Sequence, residues 1–372
     1  MKQALLFVCF LFVASSFAQE KKTLEGMGVE GNVFVGNLFR HSQTMTSRMP
    51  ESTWGAEINI VKHLHGQKPW HQQRNFPWVG LGLMFLDYNS PDVFGQVWGI
   101  YPNIQFPLIR ASTWEWTFRA GFGLSYVTKP FERFPDVNLE NTAIGGHWNN
   151  ISPFSTDFRY QLNKQMDFQA GLSFVHVSNA SFQQPNLGLN MWSAHLGLRY
   201  FPSGNRGTNK PSSSLNLSNR WLIHARAGIA FIDSWPGNGP INPSYMGSVY
   251  TSKRYWSKNK AFAGIDLHYH SGMYVFLKSI ENEVGKEKWA STQLALFAGH
   301  EFIYGPVGLL FQGGVYLHRT YQQPELFYQK LGCNIYLYQA ENGILKEVFV
   351  STLLKTHLFT AELFEMGVGI GF

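Results

Sequence analysis

The segment His176-Val177-Ser178-Asn179-Ala180 holds the residue types from which a hydrolytic site can be built. Serine is a poor nucleophile until a base takes its proton, and histidine is the usual base. On an extended strand, residues two apart lie on one face, about 6.5–7 Å from each other. An imidazole and a hydroxyl leaning together close that gap to hydrogen-bond range. Further along the chain, Asn190 carries an amide that could accept from His176 Nδ1–H and fix the ring tautomer. A His-x-Ser pair on a strand is a weak signal by itself. Its weight depends on the surface on which the surrounding elements place it.

Those elements are strands. The 372 residues are 44% hydrophobic and 16% aromatic but only 15% charged, against about 25% charged in ordinary soluble domains. That aromatic load excludes disorder. The net charge of +6 in an exported chain does not argue for nucleic acid. A polyanionic surface, such as phosphorylated lipid headgroups, is the more natural partner.

Export is expected from residues 1–18. Lys2 precedes an apolar run, Ala4 to Ala14, and Ser16-Phe17-Ala18 fits the small-x-small cleavage pattern. Cys9 would leave with this signal peptide. Cys333 would then stand alone, which excludes an intramolecular disulfide and a cysteine zinc cluster.

After residue 19 no apolar run is long enough for a transmembrane helix. Period-two alternation recurs instead, between stretches of turn chemistry. It covers Gly28–Phe39, Trp54–Leu64, Trp78–Tyr88, Gln96–Phe106, Trp114–Val127, Ser152–Leu162, Phe168–Ser178 and Met191–Phe201. A polar stretch follows, with residues 203–220 taken as a linker. The pattern resumes at Trp221–Ile232, Tyr245–Tyr255, Phe262–Leu277, Ala290–Ile303, Val307–Leu317, Leu326–Leu337, Leu345–Leu354 and Phe359–Phe372.

Strands of bilayer-spanning length in an exported, aromatic-rich chain predict an all-β, antiparallel transmembrane barrel of the bacterial outer membrane. The first expectation is one barrel of about 14–16 strands, in which residues 221–372 complete what residues 19–202 begin. The alternative is an eight-stranded barrel followed by a second β module, and two tandem eight-stranded barrels also fit the linker position. In the last segment Leu358, Thr360, Glu362, Phe364, Met366, Val368, Ile370 and Phe372 share a face. That alternation up to a final Phe looks like the terminal strand of outer-membrane proteins.

Parity then locates the pair. Phe168, Ala170, Leu172, Phe174, His176 and Ser178 fall on one face, and Gln169, Gly171 and Ser173 on the other. The small polar face suits the lumen, so His176 and Ser178 crown a lipid-facing stripe, where polar side chains are costly and need a reason. Asn190 has the parity of the lipid-facing Trp192, Ala194, Leu196 and Leu198, at the same end.

The run from His176 to Asn190, HVSNASFQQPNLGLN, resembles the His-x-Ser-Asn-Ala…Gln-Pro-Asn-x-Gly segment of the lipid A 3-O-deacylases of Gram-negative outer membranes. Ala143-Ile144-Gly145-Gly146-His147-Trp148-Asn149 is similar to acyloxyacyl hydrolase-like relatives. The resemblance covers roughly residues 24–202. It implies an ester hydrolase that removes an acyl chain from lipid A or lipopolysaccharide. Ser178 would be nucleophile and His176 general base, with Asn179 and the Ala180 backbone N–H at the oxyanion. Pro185, Asn186 and Gly188 would shape the loop. The family's triad glutamate falls on Asn190, which can orient a histidine but cannot offset its charge.

Nothing else calls for a cofactor or a metal. There is no His-Glu-x-x-His, P-loop or Gly-x-Ser-x-Gly motif. His63 with His65, and His268 with His270 beside Asp266, read as solvated barrel-rim histidines. Trp78, Trp98, Trp114, Trp116, Trp192 and Trp221 read as wall or interface-belt residues. Two rivals remain: a non-catalytic porin or structural barrel, and a phospholipase using the same kind of site.

Overall fold

The computed structural model describes residues 24–210, 220–233, 239–256, 258–321, 323–358 and 360–372. The expected signal peptide, 1–18, lies outside the described residues, as do positions 211–219 of the expected linker. The first sheet runs β1 (Met27–Leu38), β2 (Thr53–His63), β3 (Trp78–Asp87), β4 (Gln96–Arg110), β5 (Trp114–Gly121), β6 (Gly123–Val127), β7 (Trp148–Gln161), β8 (Met166–Ser178) and β9 (Leu189–Tyr200). β5 and β6 both pair with β4 and β7, so they are two lengths of one strand position, interrupted at Phe122. β9 returns to β1, with Val29 opposite Tyr200 and Leu38 opposite Met191, and so closes eight positions.

The second sheet is a closed barrel of β10 (Trp221–Asp233), β11 (Ile241–Tyr255), β12 (Asn259–His270), β13 (Thr292–Tyr304), β14 (Val307–His318), β15 (Phe327–Gln339), β16 (Glu347–His357) and β17 (Thr360–Gly371). The chain is therefore all-β, as expected. It divides into two eight-stranded barrels, the alternative arrangement, rather than a single barrel of 14–16 strands. Alternation specifies each strand but not the partner of the last one, and both arrangements use identical neighbours within each half.

The walls behave as parity predicts. Val35, Ile60, Leu172, Leu196, Val249 and Val368 are exposed on the outside. An apolar surface this extensive marks a membrane-facing wall. Charged networks fill both lumens, as eight-stranded barrels leave room for side chains only. In the first, Glu57 takes Arg119 at 2.5 and 3.0 Å, and Arg199 pairs with Glu30. In the second, Lys330 lies 3.0 Å from both Asp266 and Glu365, and Lys355 lies 2.9 Å from Glu362. Lumens of eight strands filled in this way differ from the walls of about 16–18 strands that enclose a porin's aqueous channel.

Several local expectations change. The segment Phe262–Leu277 is strand only to His270; Ser271–Ser279 is a helix capping that end of the barrel. Met366, Val368 and Ile370 face outward as expected, but Glu362 turns into the lumen, because the β16–β17 register shifts between Lys355 and Thr356. The two histidine pairs are buried, not solvated. His63 Nδ1 lies 2.9 Å from the Arg206 carbonyl and its ring stacks on Trp78, itself buried. His268 Nε2 lies 3.2 Å from Lys330 Nζ, a cation where a metal would have to sit. Residues 201–210 are no free linker: Asn205 O accepts from Gly26 N, and Lys210 N donates to His65 O.

The barrels touch at three levels. At the end away from His176, Arg74 Nη2 donates to Ile303 O at 2.9 Å and to Lys258 O at 3.0 Å. Partway along, Phe122 stacks on Phe364 with ring centroids 6.0 Å apart. At the His176 end, the loop of residues 179–188 meets the ends of β10 and β17.

Candidate active site

The antiparallel register of β7, β8 and β9 assembles the site. His176 stands opposite Asn190 on one side and Ser152 on the other, and Ser178 stands opposite Asn150. Directly opposed residues share a face, so five polar side chains gather on the outer wall at its rim. His176 Nδ1 is 2.6 Å from Asn190 Oδ1, and His176 Nε2 is 2.8 Å from Ser178 Oγ. With Nδ1–H donating to the amide oxygen, Nε2 is left to accept from the Ser178 hydroxyl. That tautomer is the one a general base requires.

Asn150 and Ser152 were not singled out in the sequence. Asn150 Nδ2 donates to Ser152 Oγ at 3.0 Å, which turns its Oδ1 toward Ser178, 3.4 Å away. The signal was available, since parity from outward-facing Phe154 and Phe158 puts both on the lipid side. Below the polar cluster the wall is apolar: Leu172 and Leu196 are exposed, and the rings of Phe174 and Trp192 lie 4.9 Å apart.

The loop after Ser178 is tightly laced. Ala180 and Ser181 adopt φ of 51° and 66°, in the left-handed region. Asn179 N donates to Asn186 Oδ1 at 2.9 Å, and Asn179 Oδ1 accepts from Gln183 N at 3.2 Å. The backbone amide of Asn179 is thus committed within the loop. Its side-chain Nδ2 is buried and, among the described residues, has no hydrogen-bond partner. Such an orphaned donor is costly unless something binds it.

Glycines let other segments press close. Gly188 has φ +82°, and a Cβ there would lie 2.8 Å from His176 Cε1. A Cβ on Gly146 would strike Gln183 Oε1 at 1.8 Å, which explains the Gly145-Gly146 pair packed under the loop. His41 Nε2 lies 2.9 Å from the Leu187 carbonyl.

A second Ser-His arrangement lies in the first lumen. His195 Nδ1 is 2.8 Å from Ser173 Oγ, and His195 Nε2 is 2.8 Å from Asp157 Oδ1. All three are buried among the salt bridges, Ser173 only 2% exposed, so no lipid ester reaches them. The residue types alone would favour this trio for its carboxylate. Ser178, itself 7% exposed, lies on the outer wall instead, and that placement favours the outer trio. No group of His, Cys, Asp and Glu arranged to hold a metal occurs among the described residues.

Residues 54–199 match the lipid A 3-O-deacylase (PagL) family, and residues 219–372 match the acyloxyacyl hydrolase C-terminal domain. Among solved structures, the outer-membrane enzyme PagL is 16% identical, covering 45% of this chain and 97% of its own, with a TM-score of 0.31. Neisserial surface protein A (NspA) is 10% identical, covering 47% and 97%, with a TM-score of 0.33. No curated protein matches the chain. The two family matches part where the barrels part, one to each. The chain belongs to the outer-membrane lipid A 3-O-deacylase and acyloxyacyl hydrolase-like family.

Proposed function

We propose that the protein hydrolyses an ester-linked acyl chain of lipid A, with Ser178 as nucleophile, His176 as general base and Asn190 as the group that orients the imidazole. The observation that carries this reading is the hydrogen-bonded chain Asn190–His176–Ser178 on the membrane-facing side of the rim. A lipid lying in the outer leaflet meets Ser178 from the side. Its acyl chain runs down the wall formed by Phe174, Leu172, Trp192 and Leu196, while its ester stays at headgroup level, where water is present.

The Ser178 proton passes to His176 Nε2 as Oγ bonds to the ester carbonyl carbon. The resulting oxyanion is held by Asn179 Nδ2 and the Ala180 N–H. Collapse breaks the bond to the sugar oxygen, which takes the proton from His176. Water, deprotonated by the same ring, then releases the fatty acid from Ser178. One oxyanion donor typically contributes about 10²–10³-fold, so the orphaned amide of Asn179 has a use in the transition state. Glycerophospholipid cleavage at the same site is the second reading, favoured only by the site's place on the membrane-facing side of the wall.

The test is mass spectrometry of lipid A from cells expressing wild type, Ser178→Ala, His176→Ala and, as control, Ser173→Ala. One hydroxyacyl mass should be lost with wild type and Ser173→Ala and retained with the other two. An identical, fully acylated spectrum for all four folded proteins rules the proposal out, and lysophospholipid in its place supports the phospholipase.

A further inference from the structure

The proposed mechanism uses only the first barrel, yet the loop that must stabilise the oxyanion is held by the second. Asp233, the last residue of β10, makes two bonds to it. Its backbone N–H donates to Ser181 O at 3.1 Å, and its Oδ2 accepts from Gln184 N at 2.9 Å. From β17, Ala361 O accepts from Ser181 Oγ at 3.0 Å. Asp233 is buried, 5% exposed, so these bonds are shielded from water. They grip the loop on both sides of Phe182, next to the left-handed Ala180 and Ser181.

A loop with two consecutive non-glycine residues at positive φ carries strain and persists only if its surroundings hold it. On the first-barrel side it is fixed through Asn179, Asn186 and the Gly145-Gly146 floor. On the other side the holding groups come from residues 233 and 361. The backbone at Ala180, the proposed second oxyanion donor, is part of this strained stretch, with φ near 51°.

We propose that the C-terminal barrel is a positioning element of the site: Asp233 and the Ala361 carbonyl fix the 179–188 loop so that Asn179 and Ala180 face the carbon attacked by Ser178. This assignment rests on the hydrolase reading for its catalytic consequence, though not for its structural one. It gives the second barrel a role beyond membrane anchorage. Asp233 acts through the loop and does not touch substrate.

The experiment uses the full chain in outer-membrane vesicles. Hydrogen exchange is followed at residues 180–187, and deacylation kinetics are measured on lipid A, for wild type, Asp233→Ala, Asp233→Asn and Ser181→Ala. Losing a buried bond to a carboxylate should speed exchange at the Gln184 amide about ten-fold or more. kcat should fall by a comparable factor with KM nearly unchanged, since the loop serves the transition state. Asp233→Asn retains an acceptor and should restore most of both, and Ser181→Ala should give a smaller effect of the same sign. Unchanged exchange in Asp233→Ala overturns the proposal, as does faster exchange with unaltered kcat. A wild type that cleaves no lipid removes the hydrolase reading, while the exchange arm still decides whether the second barrel holds the loop. Should Asp233→Ala not reach the membrane, Asp233→Asn and Ser181→Ala carry the test.

Discussion

Replacing Asn190 with aspartate places a carboxylate where the amide oxygen lies 2.6 Å from His176 Nδ1, without changing the side-chain shape. In the proposed attack the ring takes the Ser178 proton and becomes a cation, which a neutral amide orients but does not neutralise. Two unit charges 4 Å apart at an effective dielectric of 20 attract by about 4 kcal/mol, which bounds the gain from above. The half-buried carboxylate loses part of its hydration, and it polarises the neutral ring before reaction as well. A net transition-state gain of about 1.5 kcal/mol remains, roughly ten-fold in kcat. The 10⁴-fold loss typical of Asp→Asn in a serine protease triad is not the measure here, because that loss comes chiefly from a wrong tautomer. In this protein Nδ1–H already points at an acceptor. The assay is initial-rate release of fatty acid from purified lipid A, with Asn190→Ala beside it. Asn190→Ala should lose about ten-fold through an unanchored ring. If Asn190→Asp is no faster than wild type in a folded barrel, the charge argument is wrong. If Asn190→Ala matches wild type, Asn190 has no part in orienting His176.

Two further predictions concern packing and the lumen. Gly188→Ala forces a Cβ to within 2.8 Å of His176 Cε1 at a φ of +82°. It should lower kcat about ten-fold through a displaced imidazole, while the gel mobility of the unheated barrel stays native; wild-type kcat would show that the ring is not held from this side. Arg119→Met leaves Glu57 buried and unpaired in the first lumen, which should destabilise that barrel by about 3–5 kcal/mol in urea unfolding. The double change with Glu57→Leu should recover most of that loss, and failure to recover would mean the network does more than balance charge.

The candidate site is legible in the sequence because strand parity is a local property. Alternation through Phe168–Ser178 placed His176 and Ser178 on the outer face without any knowledge of neighbours, and the same rule put Asn190 beside them at that end. Asn150 and Ser152 obey that rule too, but they became site residues only through the register that sets Asn150 opposite Ser178. By spacing alone Trp78 and the His63–His65 pair belong to the wall and the rim. They are buried because residues 201–210 fold back beneath the first barrel, which no periodicity records.

The sequence by itself determined the strands, their inward and outward faces, and the candidate residues of the proposed site. Each of these depends on spacing within a few residues, where backbone geometry leaves little choice. Tertiary structure alone decided that β9 returns to β1, so that of the two arrangements the alternation allows, two barrels form and not a single larger one. It also decided that Ser178 lies on the outer wall and Ser173 in the lumen. The contact of Asp233 and Ala361 with the site loop was likewise beyond sequence reading. Such pairings join residues far apart in the chain, and their free energy comes from which surfaces meet, a quantity the order of residues does not display.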